Sequence, residues 1–161
     1  DESIIKLIKK YNNLFVLRSL TKSFALAGLR IGYGIGSKQM ISILNNIKIP
    51  WNVSGLAQQA ASAALSHSFY LSKVKKIIKK ESFYLIDHIS KLKNFQCTAT
   101  STNFILIKTK MKSKTVQKKL LEKKILIRDC STIRGLNDNY IRIAVKTRKE
   151  NEKLIKALER L

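Results

Sequence analysis

The segment SLTKSFALAGLRIGY, which begins at Ser19, constrains this chain more than any other part of the sequence. It follows an apolar run at residues 14–17 that predicts a buried strand. Lys22 comes just after the expected end of that strand. Hydroxyls precede it at Ser19 and Thr21, and Arg30 follows eight residues later. The segment therefore predicts a strand end that carries one amine, two hydroxyls and one guanidinium.

These four side chains suit one kind of chemistry. A lysine amine can form a Schiff base with an aldehyde, and hydroxyls together with a guanidinium can hold a phosphate. The set indicates a site for pyridoxal 5′-phosphate (PLP), with Lys22 as the catalytic residue. Taken singly, each residue has an ordinary explanation, such as a solvated loop lysine, a surface arginine or a helix cap. The apolar neighbours between Phe24 and Leu29 predict that the segment is buried, which favours the catalytic interpretation.

The same residues carry a family resemblance. S-x-T-K followed by A-L-A-G-L-R-x-G-Y resembles the signature of the fold-type I aminotransferases of class I and II. Four further blocks occur in the order and at about the spacing of one branch, the histidinol-phosphate aminotransferases and threonine-phosphate decarboxylases. They are IPWNVSGLAQQAA, STNFILIK, ILIRDCS and YIRIAVKTRKENEKLIKAL.

The resemblance implies an α/β fold in two parts. Residues 1–66 would form the C-terminal part of the large PLP-binding domain. Residues 67–161 would form a small C-terminal domain, with a long helix followed by an α/β sandwich. The acidic strand that precedes the Schiff-base lysine in this family has no counterpart here, because Asp1 and Glu2 are not followed by an aromatic pair. We therefore expect this chain to be the C-terminal half of a family member, incomplete as an enzyme.

The resemblance also implies roles for the site residues. Ser19, Thr21, Lys22 and Arg30 would bind PLP.

Three residues further along would bind the substrate. Arg142, in the middle of YIRIAV, would grip a substrate carboxylate or equivalent anion. Arg128, at the end of ILIR, and Asn103, before FILIK, would line the same site. From the residues alone, a structural carboxylate could equally pair with Arg142, and Asp129 could neutralise Arg128. Both alternatives stay open at this point.

The implied function is PLP-dependent decarboxylation of L-threonine O-3-phosphate to aminopropanol phosphate, in cobalamin biosynthesis. YIRIAVKT resembles the decarboxylases, since Ala144 to Lys146 depart from the T-x-G-T of the aminotransferases. The first alternative is a histidinol-phosphate aminotransferase of histidine biosynthesis. The second is an inactive fragment or interaction module. The complete protein is expected to be a homodimer that takes a phosphorylated amino acid or amine.

Charge and composition exclude several other classes. The net charge is +22, but the lysines are dispersed between apolar positions of helix-like stretches, which indicates solvated helix faces and not a nucleic-acid site. The 10 acidic residues form no metal-ligand cluster, so no metal is expected. No apolar run is long enough to span a membrane. Cys97 and Cys130 lack CxxC spacing, which favours reduced thiols in a cytoplasmic protein.

Hydrophobic spacing predicts the secondary structure. Helices are expected over 3–10, 38–46 with Ser37 as its cap, 55–65 with Ser54 as its cap, 69–92, 113–123 and 148–160. Strands are expected over 14–18, 31–35, 104–107, 125–127 and 140–143.

Overall fold

The computed structural model describes residues 3–161, apart from the side chain of Ser68. The chain divides into two compact units, one that ends at Ser72 and one from Lys73 to Leu161. Helices and strands alternate through both, which confirms the α/β class. The boundary between the two units lies inside the longest helix. The assignment of residues 1–66 to the PLP-binding domain and of residues 67–161 to the small domain stays a prediction.

The first unit is built from short elements. They are a 3-10 helix at Ile4–Lys9, strand β1 at Val16–Ser19, the single-turn helix α1 at Leu20–Ser23, a 3-10 turn at Ala27–Leu29, strand β2 at Gly32–Ile35, helix α2 at Lys38–Ile47 and helix α3 at Gly55–Ser66. β1 and β2 form a two-stranded antiparallel sheet in which Ser19 lies opposite Gly32.

The two predicted serine caps of this unit are confirmed. The side-chain oxygen of Ser37 accepts a hydrogen bond from the backbone N of Met40 at 3.3 Å, where α2 begins. Ser54 does the same for the backbone N of Ala57 at 3.2 Å, where α3 begins. Each cap satisfies one of the N–H groups that a helix start leaves unpaired.

The predicted buried strand over 14–18 is wrong in its burial. β1 begins at Val16, and the side chain of Leu17 is 76% exposed. A two-stranded sheet needs other elements to cover its faces. Within the described residues, the buried core of this unit consists of Leu20, Ile31 and Ala57 alone. The first unit therefore leaves much of its apolar surface open.

The longest helix, α4 at Ser68–Ser90, begins in the first unit and continues into the second. The remaining elements of the second unit are β3 at Phe95–Cys97, β4 at Phe104–Thr109, α5 at Ser113–Glu122, β5 at Arg128–Asp129, β6 at Tyr140–Ala144 and α6 at Arg148–Leu158. The four strands form an antiparallel sheet in the order β3-β4-β6-β5.

One face of this sheet forms the core of the second unit. The core joins side chains of β4 and β6 to side chains of α4, α5 and α6. Its fully buried members are Leu85, Ile89, Ile105, Ile107, Val116, Leu120, Ile141, Ile143 and Leu158. Successive strand residues point to opposite faces. The alternate residues Phe104, Lys108 and Arg142 are therefore exposed on the other face.

Two strands differ from the prediction. The strand expected over 125–127 lies instead at Arg128–Asp129. Just before it, the carbonyl oxygen of Ile127 accepts a hydrogen bond from Nε2 of Gln117 at 3.0 Å, a side-chain contact that the sequence pattern does not show. Strand β3 was not predicted, since three residues are too few to show a period. Helices 69–92, 113–123 and 148–160 are confirmed within two residues at each end.

Across residues 3–161, no helix has the length and apolar character that crossing a membrane requires. The same residues contain no group of three or more His, Cys, Asp or Glu side chains that could hold a metal ion.

Neighbouring leucines of α5 test the position of the core. Leu120 is fully buried, whereas Leu121 is 56% exposed. We expect Leu120→Ala to lower the free energy of unfolding of the second unit by about 2–5 kcal/mol, because it leaves a cavity. Leu121→Ala is the matched control and should change that free energy by about 0.5 kcal/mol or less. Urea denaturation followed by circular dichroism measures both, and equal losses would contradict this core.

Candidate active site

Ser19 and Thr21 are held together at the junction between β1 and α1. Ser19 ends the strand and caps the helix, since its side-chain oxygen accepts from the backbone N of Thr21 at 3.3 Å. The two hydroxyl oxygens lie 2.8 Å apart. Lys22 follows on the helical turn, and its side chain is exposed. The junction therefore presents two adjacent hydroxyls with an amine on the next residue.

The prediction that this segment is buried is wrong. Lys22, Ala25 and Leu29 are all exposed, and Phe24 is only half-buried. The physical reason is the small core of the first unit, which takes in Leu20 and Ile31 of this segment and leaves the residues between them at least partly exposed.

Arg30 lies in the loop between α1 and β2 and faces the same pocket as the hydroxyls of Ser19 and Thr21. Its backbone is left-handed, with φ +50°, which is uncommon for a residue other than glycine and recurs at functional sites. Nη1 makes one long hydrogen bond, 3.4 Å to the carbonyl of Ala27, so most guanidinium donors remain available. Arg30, Ser19 and Thr21 all line an open pocket of about 370 Å³, and Lys22 is not among its lining residues.

Close approach of the two strands shapes this pocket. A Cβ at Gly32 would lie 2.5 Å from the backbone oxygen of Arg18, so only glycine fits at this pairing. The backbone N of Leu20 also donates to the carbonyl of Ile31 at 3.1 Å, which ties the start of α1 to the residue after Arg30.

The donor set of the pocket fits a phosphate. Ser19 and Thr21 supply hydroxyls, and Arg30 supplies a guanidinium whose N–H groups can bond two oxygens at once. No Asp or Glu occurs from Ser3 to Lys80, so no carboxylate of this stretch competes for these donors. The phosphate group of PLP therefore suits this pocket chemically.

Arg142 and Arg128 are brought together in the second unit. They are directly opposed across β5 and β6, and both side chains are exposed. Two like charges in this relation destabilise a sheet. The Arg142 guanidinium lies 4.9 Å from the ring centroid of Phe104. Within the described residues, no carboxylate forms an ion pair with either arginine, so the pair is open to an anion from outside.

Asp129 does not neutralise Arg128. Its carboxylate accepts hydrogen bonds from the hydroxyl of Ser113 at 2.7 Å, and from the backbone N and hydroxyl of Ser131 at 2.9 and 2.8 Å. The Ser113 hydrogen bond, followed by those of Ser131, holds the pKa of Asp129 below its usual range. Asp129 thus ties the start of α5 to the end of β5.

Asn103 lies just before β4 and is exposed. Its backbone carbonyl accepts from the backbone N of Val145 at 2.9 Å, which extends the pairing of β4 with β6 by one step. The predicted residues thus form two local sets, one in each unit. Phe104 was not predicted as a site residue. The alternation of side chains along FILIK places it on the same face of the sheet as Arg142.

The family model described as "Aminotransferase class I and II" matches residues 1–158. The chain belongs to the class I and II aminotransferase family. PLP, which the Lys22 segment indicated, is the cofactor of this family.

Two relatives show how the family branches. The chain is 37% identical over 161 residues to "Histidinol-phosphate aminotransferase 2" of Archaeoglobus fulgidus, covering 100% of this chain and 46% of that protein. It is 37% identical over 158 residues to a "Putative threonine-phosphate decarboxylase" of Caldanaerobacter subterraneus subsp. tengcongensis, covering 98% of this chain and 43% of that protein. Both halves of the predicted branch are therefore represented.

A solved structure supports the same fold. The histidinol-phosphate aminotransferase of Clostridium acetobutylicum matches with a TM-score of 0.88 at 32% identity. The match covers 98% of this chain and 48% of that one. The chain thus spans about half the length of the relatives it matches.

The carboxyl group of Asp129 provides a test of the local charge assignment. We expect Ser113→Ala to raise the pKa of Asp129 towards its usual range, because it removes the leading hydrogen bond. Arg128→Gln should leave that pKa unchanged. Carbon-detected NMR titration of the Asp129 carboxyl measures both.

The same change has a consequence for acid stability. A carboxyl with a lowered native pKa stabilises the fold above its unfolded pKa, and this stabilisation is lost as pH falls through the native value. Ser113→Ala should therefore flatten the loss of stability at acid pH. A shift of the Asp129 pKa in Arg128→Gln, with none in Ser113→Ala, would contradict the assignment.

Proposed function

We propose that the complete protein is a PLP-dependent enzyme that acts on a phosphorylated amine or amino acid. The observation that carries this proposal is the exposed pair Arg128 and Arg142, opposed on one sheet face with no carboxylate partner among the described residues. Such a pair costs stability when it is empty and gains it when an anion binds.

The residues of the first unit have complementary roles in this proposal. When bound, PLP supplies an electron sink for a carbanion at the substrate Cα. Ser19, Thr21 and Arg30 would hold its phosphate group through hydroxyl and guanidinium donors. The exposed amine of Lys22 would hold the cofactor, and it would afterwards take or return the proton at the substrate Cα.

Arg142 would decide which substrate bond reacts. Its planar guanidinium can bind two oxygens of one anion and so fix the orientation of that group. The Phe104 ring 4.9 Å away limits where the guanidinium can swing. An orientation that presents the substrate carboxylate for cleavage would favour loss of CO2. An orientation that presents the Cα–H bond to Lys22 would favour removal of that proton and transfer of the amino group.

Two reactions are candidates, each with its own support. Histidinol-phosphate transamination is favoured by the names of most relatives, which include the proteins of Archaeoglobus fulgidus and Clostridium acetobutylicum. Decarboxylation of threonine phosphate is favoured by the strand sequence YIRIAVKT and by the decarboxylase relative at the same 37% identity. Both substrates carry a phosphate, which suits the arginine pair.

We also propose a homodimer in the cytoplasm for the complete protein. The first unit exposes large apolar side chains that a further polypeptide surface could cover, among them Trp51 at 97% and Leu56 at 82% exposure. Cys97 and Cys130 are both free thiols, as expected of a reducing compartment.

The reaction is tested with two substrates. The complete protein, loaded with PLP, is offered threonine phosphate, and separately histidinol phosphate with 2-oxoglutarate. Glutamate formation without CO2 release establishes the aminotransferase, and CO2 release from threonine phosphate establishes the decarboxylase. Absence of both products, in protein shown to retain PLP, would contradict the proposed function.

Lys22 is the expected attachment point of the cofactor. Borohydride reduction of the complete protein in the presence of PLP should leave a pyridoxyl group on Lys22, located by peptide mass spectrometry. Lys22→Ala should lose the label. Lys38→Ala, at another exposed lysine of the same unit, should keep it. Label on a different lysine in the parent protein would contradict the assignment.

Conservative changes at two arginines should separate substrate binding from cofactor binding. Arg142→Lys removes the planar two-point contact, worth about 1.5–3 kcal/mol, so kcat/KM should fall roughly ten- to a hundredfold while PLP is retained. Arg30→Lys should instead weaken PLP retention, measured as absorbance lost on dialysis. Arg160→Lys, at an exposed position on the last turn of the chain, is the control and should change neither quantity.

A further inference from the structure

A buried carboxylate in α4 has no role in the chemistry so far. Glu81 is 7% exposed, and it is the only charged residue that is buried among the residues that the structure describes. Its two oxygens accept hydrogen bonds from Nε and Nη2 of Arg148 at 3.1 and 3.0 Å. Nδ2 of Asn151 donates to it at 3.0 Å. The Arg148 hydrogen bonds hold the pKa of Glu81 below its usual range, so it is a buried anion.

This arrangement is not what stability alone requires. A buried ion pair often contributes no more than well-packed apolar side chains of similar volume, because both charges lose their hydration. The surrounding core is apolar, with Leu154, Ile155 and Leu158 of α6 packed into it. An apolar contact between α4 and α6 would therefore serve the fold at least as well.

Asn151 transmits the position of Glu81 to the backbone. Its side chain is 1% exposed, and its Oδ1 accepts from the backbone N of Lys146 at 3.1 Å. Its Nδ2 also donates to the carbonyl of Lys146 at 3.0 Å. Both backbone groups of Lys146 are thus held by one amide, whose remaining N–H is used by Glu81.

Lys146 lies at the corner that follows β6. One residue earlier, the backbone N of Val145 donates to the carbonyl of Asn103 at 2.9 Å. One residue before that, Ala144 pairs with Phe104, the residue whose ring lies beside Arg142. Hydrogen bonds therefore link Glu81 to the backbone of Lys146, and the covalent backbone of residues 144–146 continues to the end of the sheet near Arg142 and Asn103.

We propose that Glu81 and Asn151 are positioning residues for the anion-binding face, which hold the 144–146 corner so that Arg142 and Asn103 meet the substrate in one geometry. This rests on the proposed function only in taking Arg142 as the group that grips the anion. Arg148 completes the network, and its guanidinium carbon lies 3.4 Å from the ring centroid of Tyr84.

The decisive variant replaces the network with apolar side chains. Glu81→Met, Arg148→Met and Asn151→Leu are combined in the complete, PLP-loaded protein. Because displacement of a substrate-holding group by about 1 Å can cost on the order of a hundredfold, we expect KM to rise about tenfold or more. Tm and PLP retention should stay close to the parent values. An unchanged KM in this folded variant would overturn the proposal, since it would show a purely structural role.

A second measurement covers the case in which the triple variant does not fold. Inorganic phosphate is titrated into the complete protein while the Nε–H resonance of Arg142, assigned with Arg142→Lys, is followed by NMR. Glu81→Gln should weaken phosphate binding several-fold. Asp87→Asn is the matched control: it changes an exposed carboxylate of the same helix that pairs with Lys91 at 2.7 Å, and it should bind like the parent.

The outcomes also separate this proposal from the proposed function. Equal phosphate affinity in Glu81→Gln and in the parent overturns the positioning role and leaves the anion-binding role of Arg142 intact. No phosphate-dependent shift at Arg142 in the parent contradicts the anion-binding role itself and overturns the positioning role with it.

Discussion

The alternation of side chains along β6 is the constraint on which the second unit depends. Ile141 and Ile143 point into the core and are buried, so Arg142 between them must point to the opposite face. β6 also lies between β4 and β5, and it aligns both of its neighbours. A shift of one residue would bury the arginine and expose both isoleucines, so packing fixes this register and with it the exposed position of Arg142.

The charge on that face carries a cost in stability. Arg128 and Arg142 repel each other across adjacent strands. Asp129 is hydrogen-bonded to Ser113 and Ser131, and no carboxylate within residues 3–161 forms an ion pair with either arginine. A chain selected for stability alone would pair these charges. The first unit also carries positive charge without nearby carboxylates, because no acidic residue follows Ser3 in it. This unit contributes to the chain's net charge of +22.

Local signals were enough to predict much of the fold. Ser37 and Ser54 were recognised as caps because capping is a contact between close neighbours in sequence. Arg142 was placed on its face by a period of two. The sequence did not show that Lys22 is exposed, because burial depends on which elements cover a strand.

The other surprises also arise from contacts between distant parts of the chain. Just before β5, the carbonyl of Ile127 accepts a hydrogen bond from the side chain of Gln117, ten residues away. Glu81 meets Asn151 from 70 positions away, and no local pattern marks that pair. The Lys22 segment and the family resemblance both indicated the cofactor, whereas the partners of Asp129 emerge only in the folded chain.

The central claim is that one unit holds the cofactor phosphate and the other holds the substrate anion. The most direct test is a crystal structure of the complete protein grown with PLP and an unreactive phosphorylated amine. We predict the PLP phosphate within hydrogen-bond distance of Ser19, Thr21 and Arg30, and an anionic group of the substrate analogue on Arg142. A PLP phosphate held by other residues, or Arg142 with no anion beside it, would contradict the account.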